Sequence, residues 1–170
     1  MQIVETGAPT PLPPPLPMRL LAAIAIDYSF VANFDVVASP PPGERTAVRV
    51  QLSATHDIWL IRWGAGSRTV LHDHGGSVGV LYVAKGELVE HRPNPAGVGR
   101  PLRRELRERE HRPMSASHVH EVANESTAAA ATIHVYSPPL EVMQQYELTV
   151  GSELRVMRRE VVEVDTFATE

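Results

Sequence analysis

A chain of 170 residues, 43% hydrophobic and 21% charged, is long enough for one domain to close a core without staples and has an ordinary globular composition. A formal net charge of -4 gives no footprint for nucleic acid, and the arginines between Arg100 and Arg112 are interleaved with Glu105, Glu108 and Glu110, as in a solvated strand or loop. With no cysteine, disulfides, thiolate ligands and a cysteine nucleophile are excluded, so any metal has to be held by histidine or carboxylate.

The first residues carry Glu5 and no basic region, then break into Pro9, Pro11, Pro13, Pro14, Pro15 and Pro17, unlike a secretory signal. Proline fixes its own backbone angle and biases its predecessor toward extended conformations, so residues 1–17 are expected to form a mobile tail before a single domain over 18–170. A cytoplasmic monomer is expected. The apolar stretch from Leu20 to Ile26 is too short to span a bilayer, so no membrane partner is expected.

From Met18 to about Ala32, the positions Leu20, Leu21, Ile24 and Tyr28 fit a helical stripe opening after a proline. Pro40-Pro41-Pro42-Gly43 breaks it. Beyond Glu44 come short apolar or alternating runs punctuated by glycine, proline and asparagine, the pattern of an antiparallel sandwich or barrel. Strands are predicted at 47–52, 57–63, 79–84, 87–91, 118–122, 130–136 and 141–150. Gly151-Ser152 then offers a turn into a last strand over 154–164.

Four of the eight histidines form two His-x-His pairs, His72-Asp73-His74 and His118-Val119-His120. On an extended chain, alternation turns both rings of a pair to one face. Two imidazoles from one strand, met by a third from another, make a facial ligand set with open positions opposite. Gly66, Gly75-Gly76-Ser77 and Gly86 around the first pair resemble the first cupin motif, and His120 with Asn124 supplies the second. Where many cupins carry a glutamate ligand, five residues after His74, this chain has Gly79. Three neutral histidines leave the charge of the metal uncompensated, which suits an anionic thiolate substrate.

These residues, together with Trp63-Gly64-Ala65-Gly66 and His134-Val135-Tyr136-Ser137-Pro138-Pro139, resemble the cysteine dioxygenase family of thiol dioxygenases. That family consists of cupins, mainly β double-stranded β-helix (jelly-roll) barrels, here with a short N-terminal helical segment. The resemblance runs from about Arg45 to Met143. It implies an iron(II) site on His72, His74 and His120, the last chosen by its spacing to Asn124, with His118 as the competing ligand. It further implies an outer triplet of Thr132, His134 and Tyr136, in which the histidine orients the tyrosine hydroxyl, and a cis peptide bond before Pro138. Arg49 falls where the family grips the substrate carboxylate, with Arg45 and Arg62 as competitors and Gln51 as the residue that mercaptopropionate enzymes use.

Gly79 in place of the animal enzymes' cysteine excludes their thioether cross-link, as in bacterial-type members, and Ala47 replaces a substrate-side tyrosine. The implied reaction joins a small thiol, with L-cysteine leading, and O2 to give a sulfinic acid. 3-Mercaptopropionate or mercaptosuccinate are alternatives. So are a zinc or manganese cupin enzyme and a cupin that only binds metal or a small molecule.

Overall fold

The structure, a computed structural model, describes residues 14–33, 38–94, 100–149 and 153–162. Helix α1, Met18–Asp27, opens at Pro17, whose carbonyl accepts from the N–H groups of Leu20 and Leu21. A 3₁₀ turn, Tyr28–Asn33, replaces the expected continuation of the helix. The buried positions of α1 are Leu21 and Ala25, whereas Leu20, expected in the stripe, is 43% exposed. Of the proline-rich tail, residues 1–13 lie outside the described ones. Leu16 is tied to the body through its N–H, which donates to Ser137 Oγ at 3.0 Å.

Eleven strands are described: β1 Arg45–Leu52, β2 Asp57–Trp63, β3 Leu71–His72, β4 Val78–Lys85, β5 Glu87–Arg92, β6 Leu102–Arg107, β7 His111–Met114, β8 Glu121–Ala123, β9 Ala130–Ser137, β10 Val142–Leu148 and β11 Leu154–Val161. One sheet has the order β1-β2-β9-β4-β7; two others run β11-β10-β3 and β6-β5-β8. Isolated antiparallel bridges, His72↔His120 and Arg68↔Ala123, join the two small sheets along the β3–β8 seam into a second wall. The turn expected at 151–152 and the end of the strand predicted to 164 lie outside the described residues. No helix among the described residues is long and apolar enough to cross a membrane.

Alternation on the central strands makes two cores. On β9, Ala131, Ile133 and Val135 face outward beneath α1 and join Val80, Tyr82, Ile58 and Leu60. The intervening Tyr136 and Ala130 face the interior with Trp63, Leu81, Val83, Leu88, Leu106 and Val122. Because both faces are covered, every residue of β9 is buried. Strands β6 and β7 fall in the charged run read above as a solvated strand or loop. There Leu106 and Met114 face inward while Arg103, Glu105 and Arg107 pair with one another in solvent.

Candidate metal centre and its cavity

His72 sits on β3 at the seam, where its backbone exchanges hydrogen bonds of 2.9 and 3.0 Å with that of His120. His74 follows in a turn held against β10 by Asp73, a residue whose role the sequence did not disclose. Asp73 Oδ1 accepts from the N–H groups of Gly75 and Gln144, and its Oδ2 accepts from the hydroxyl of Tyr146 at 2.7 Å. Gly75 has a φ of +59°, and a Cβ there would stand 2.3 Å from the carbonyl oxygen of Val142. Only glycine lets β10 approach this turn so closely.

The three rings converge, with centroids 4.9 to 5.1 Å apart. One ring nitrogen from each of His72, His74 and His120 lies within 4.8 Å of the others, a spacing that suits a shared metal ion. His72 Nδ1 donates to the carbonyl of Val70 at 2.8 Å, since a carbonyl can only accept, which leaves Nε2 as its lone-pair atom. Neither nitrogen of His74 nor Nε2 of His120 has a hydrogen-bond partner, although both residues are 1% exposed. Buried polar atoms without partners are costly, and a bound metal satisfies them.

Burial, aided by the neighbouring His120, pushes His72 down to about 3. His74 is driven well below its ordinary value by burial and by the other imidazoles. Burial also lowers His120, against a hydrogen bond to Glu90 that pulls the other way. All three rings therefore stand neutral near pH 7, the form that binds metals.

His118, the competing ligand, points elsewhere. It lies in a turn before β8, with its N–H donating to the carbonyl of Ser115, so strand alternation does not reach it. Its Nε2 donates to Glu90 Oε1 at 2.7 Å, the same oxygen that His120 Nδ1 approaches at 3.0 Å. Asn124 closes the loop after β8: its amide donates to the carbonyls of Gly64 and Ala128, and its Oδ1 accepts from Ser126.

Thr132, His134 and Tyr136 line up on β9 as alternation requires. Trp63 Nε1 donates to Thr132 Oγ1 at 2.9 Å, Thr132 Oγ1 lies 3.0 Å from His134 Nε2, and His134 Nδ1 lies 2.9 Å from the Tyr136 hydroxyl. The Tyr136 ring stacks on His74 with centroids 5.0 Å apart. Burial pushes the phenol pKa up, so Tyr136 stays protonated. Gly79 is directly opposite Tyr136 in the ladder, and a Cβ there would come within 2.7 Å of the tyrosine ring. The glycine thus makes room for the ring. The Ser137–Pro138 peptide bond is cis.

A cavity of about 660 Å³ opens beside the triad, lined among others by His72, His120, Tyr136, Arg45, Gln145 and Glu160. Of the arginines weighed from the sequence, Arg45 lines it and Arg49 does not. Arg49 Nε pairs with Asp57 Oδ2 at 3.3 Å, its Nη2 donates to the carbonyl of Leu140, and its guanidinium stacks on Trp59. Arg62 points toward the helix side and donates to the carbonyl of Ala32, and Gln51 accepts from the Tyr28 hydroxyl. Strand β11 forms the outer wall of the cavity. Its register sets Glu160 opposite Met143 and Arg158 opposite Gln145, and Gln145 Nε2 donates to Glu160 Oε2 at 2.8 Å.

Asp57 is fully buried, and burial lifts its carboxyl to about 6, against the hydrogen bond from Trp59 and the charge of Arg49. A carboxyl raised in the folded state binds its proton more tightly there than in the unfolded chain. Its contribution therefore favours folding below about pH 4 and is lost as pH rises through about 6, a difference of about 3 kcal/mol for about two units. Urea unfolding of the wild type and Asp57→Asn at pH 4.5 and 7 is expected to show the wild type gaining on the variant at the lower pH. A gap that does not change with pH would refute this assignment.

A model of the family described as cysteine dioxygenase type I matches residues 19–149. Among solved structures, a protein of Thermus thermophilus superposes with a TM-score of 0.50 at 24% identity, over 60% of this chain and 90% of its own. A conserved protein with a double-stranded beta-helix domain from Klebsiella pneumoniae gives 0.52 at 15% identity, over 71% and 90%. Recombinant oxalate oxidase in complex with glycolate gives 0.50 at 15%, over 59% and 54%. These likenesses speak for the fold, the double-stranded β-helix of the cupins. With the family model covering most of the barrel and the buried histidine cluster, the chain belongs to the cysteine dioxygenase type I family.

Proposed function

We propose that this protein is an iron(II)-dependent thiol dioxygenase that converts a small thiol carboxylate, with L-cysteine as leading substrate, to its sulfinic acid. The observation that carries this reading is a cluster of three neutral buried imidazoles, two of which, His72 and His120, line one cavity together with Tyr136 and Arg45. His72, His74 and His120 hold the metal. When bound, iron(II) supplies the one-electron chemistry by which O2 reacts with a thiolate, both oxygen atoms ending on sulfur without an external reductant.

The chain's own groups do the rest. Thr132 already accepts from Trp63, so its hydroxyl hydrogen is free to go to His134 Nε2. His134 Nδ1–H then donates to the Tyr136 oxygen, and the phenol hydrogen is left for the cavity. A fixed donor of this kind stabilises charge developing on oxygen without reorganising. Arg45 binds the substrate carboxylate in the place expected of Arg49, and Glu160, held by Gln145, faces the substrate's ammonium group. Glu160 stands near enough to Arg45 to oppose the lowering that burial imposes on that guanidinium. Carboxylate and ammonium readers side by side favour an amino-acid thiol over 3-mercaptopropionate or mercaptosuccinate.

The test is oxygen consumption by protein loaded anaerobically with iron(II), with the three thiols in parallel. One O2 per thiol and a sulfinic acid product are expected with L-cysteine. Glu160→Gln should lower kcat/KM for L-cysteine about tenfold and leave that for 3-mercaptopropionate unchanged. Bound iron without oxygen uptake from any thiol would overturn the reaction class.

A further inference from the structure

Glu90 lies on β5, in the run Leu88-Val89-Glu90, at 1% exposure. Its Oε1 accepts from His118 Nε2 at 2.7 Å and from His120 Nδ1 at 3.0 Å, while its Oε2 accepts from Arg112 Nε at 2.7 Å. Three charge-assisted bonds explain why a carboxylate stays ionised at such depth. An ionised carboxylate accepts only, so the hydrogen of His120 is on Nδ1 and its lone pair is on Nε2, the buried atom without a partner.

We infer that Glu90 is a positioning residue of the metal centre, fixing the ring and tautomer of His120 and lending the three-histidine site negative charge through it. The inference rests on the metal-site reading above. At Gly79, where the wider cupin pattern has a glutamate ligand, this chain has no side chain. Glu90 restores an anion one hydrogen bond further out, so the charge of the ion is partly offset while no coordination position is consumed. His118 and Arg112 serve the carboxylate from behind: each holds one oxygen, and together they stop it from turning toward the metal. This accounts for the second His-x-His pair, one ring facing the ion and the other facing the group that steers it.

Glu90→Gln exchanges one oxygen for an amide that cannot accept from Arg112 and both histidines at once. Competition against a chromophoric chelator should show zinc(II) and iron(II) bound about 10 to 100-fold more weakly than in the wild type. The reduction potential of the iron-loaded variant should rise, because removing negative charge favours the ferrous state. The variant also strands Arg112, so Glu90→Gln/Arg112→Gln is measured beside it and should show the same weakening. In the zinc-loaded wild type, the His120 Nδ1–H should appear as a slowly exchanging, downfield proton resonance.

Wild-type affinity and potential in the double variant would make Glu90 only a core ion pair and overturn the inference. So would a His120 ring protonated on Nε2 in the zinc-loaded wild type. Weakened metal binding together with an iron-loaded wild type that oxidises no thiol would uphold the role of Glu90 and defeat the proposed function instead.

Discussion

In His74→Ala, iron(II) no longer raises the melting temperature and thiol-dependent oxygen uptake falls more than about a hundredfold, since even outer partners of a metal ligand cost about 10 to 100-fold. The metal-free variant, by contrast, should melt close to the metal-free wild type. Both ring nitrogens of His74 are buried without partners, so the substitution removes unsatisfied polar atoms as well as packing volume. A lost core side chain costs about 2–5 kcal/mol and each unsatisfied buried nitrogen about 1–3 kcal/mol, so with two nitrogens the opposed terms are of similar size and largely offset. Ligand-linked stabilisation behaves differently: at a hundredfold excess over Kd it is worth about 2.7 kcal/mol, and the variant should lose it entirely. Differential scanning calorimetry with and without iron(II), kept anaerobic, reads both quantities. A variant whose melting temperature still climbs with iron(II) would place the metal elsewhere.

A second pair of substitutions separates Arg45 from Arg49. Arg45→Ala should fold normally and lose about 10 to 100-fold in kcat/KM for L-cysteine, the range expected when a charge-assisted contact to a carboxylate is removed. Arg49→Ala should act mainly on stability, because it leaves Asp57 buried without its cation. Breaking a buried pair commonly costs about 3–5 kcal/mol. Here the loss should be smaller, about 2 kcal/mol, because Asp57 already titrates at about 6 and escapes by taking up a proton. Urea unfolding and steady-state kinetics of both variants decide the matter. If Arg49→Ala folds with wild-type stability and raises KM selectively, the carboxylate contact returns to Arg49.

The barrel was legible because short apolar or partly alternating runs such as β4 and β9 recur, and glycine or proline marks most of the turns between them. Strands β6 and β7 were harder to read, since a strand exposed on one face in a charged run carries the same residues as a solvated loop. His72 and His74 were readable as a pair. The choice between His118 and His120 was not open to alternation, because β8 is three residues long and starts only at Glu121. Glu90 leaves only a faint trace in the sequence, a charged residue directly after two buried apolar ones on β5. Arg49 matched by spacing, but spacing is blind to Asp57, which opens β2 near the bulge at Arg49–Gln51 and draws the guanidinium to itself.

The match to the family ends at residue 149, while β11, which walls the cavity, begins at Leu154. One wall of the cavity is therefore encoded apart from the stretch that carries the three histidines. If the cavity binds as proposed, substitutions at Arg158 or Glu160 should change what it admits without disturbing a single histidine, and the paired β10 and β11 transplanted between relatives would be a compact handle for doing so.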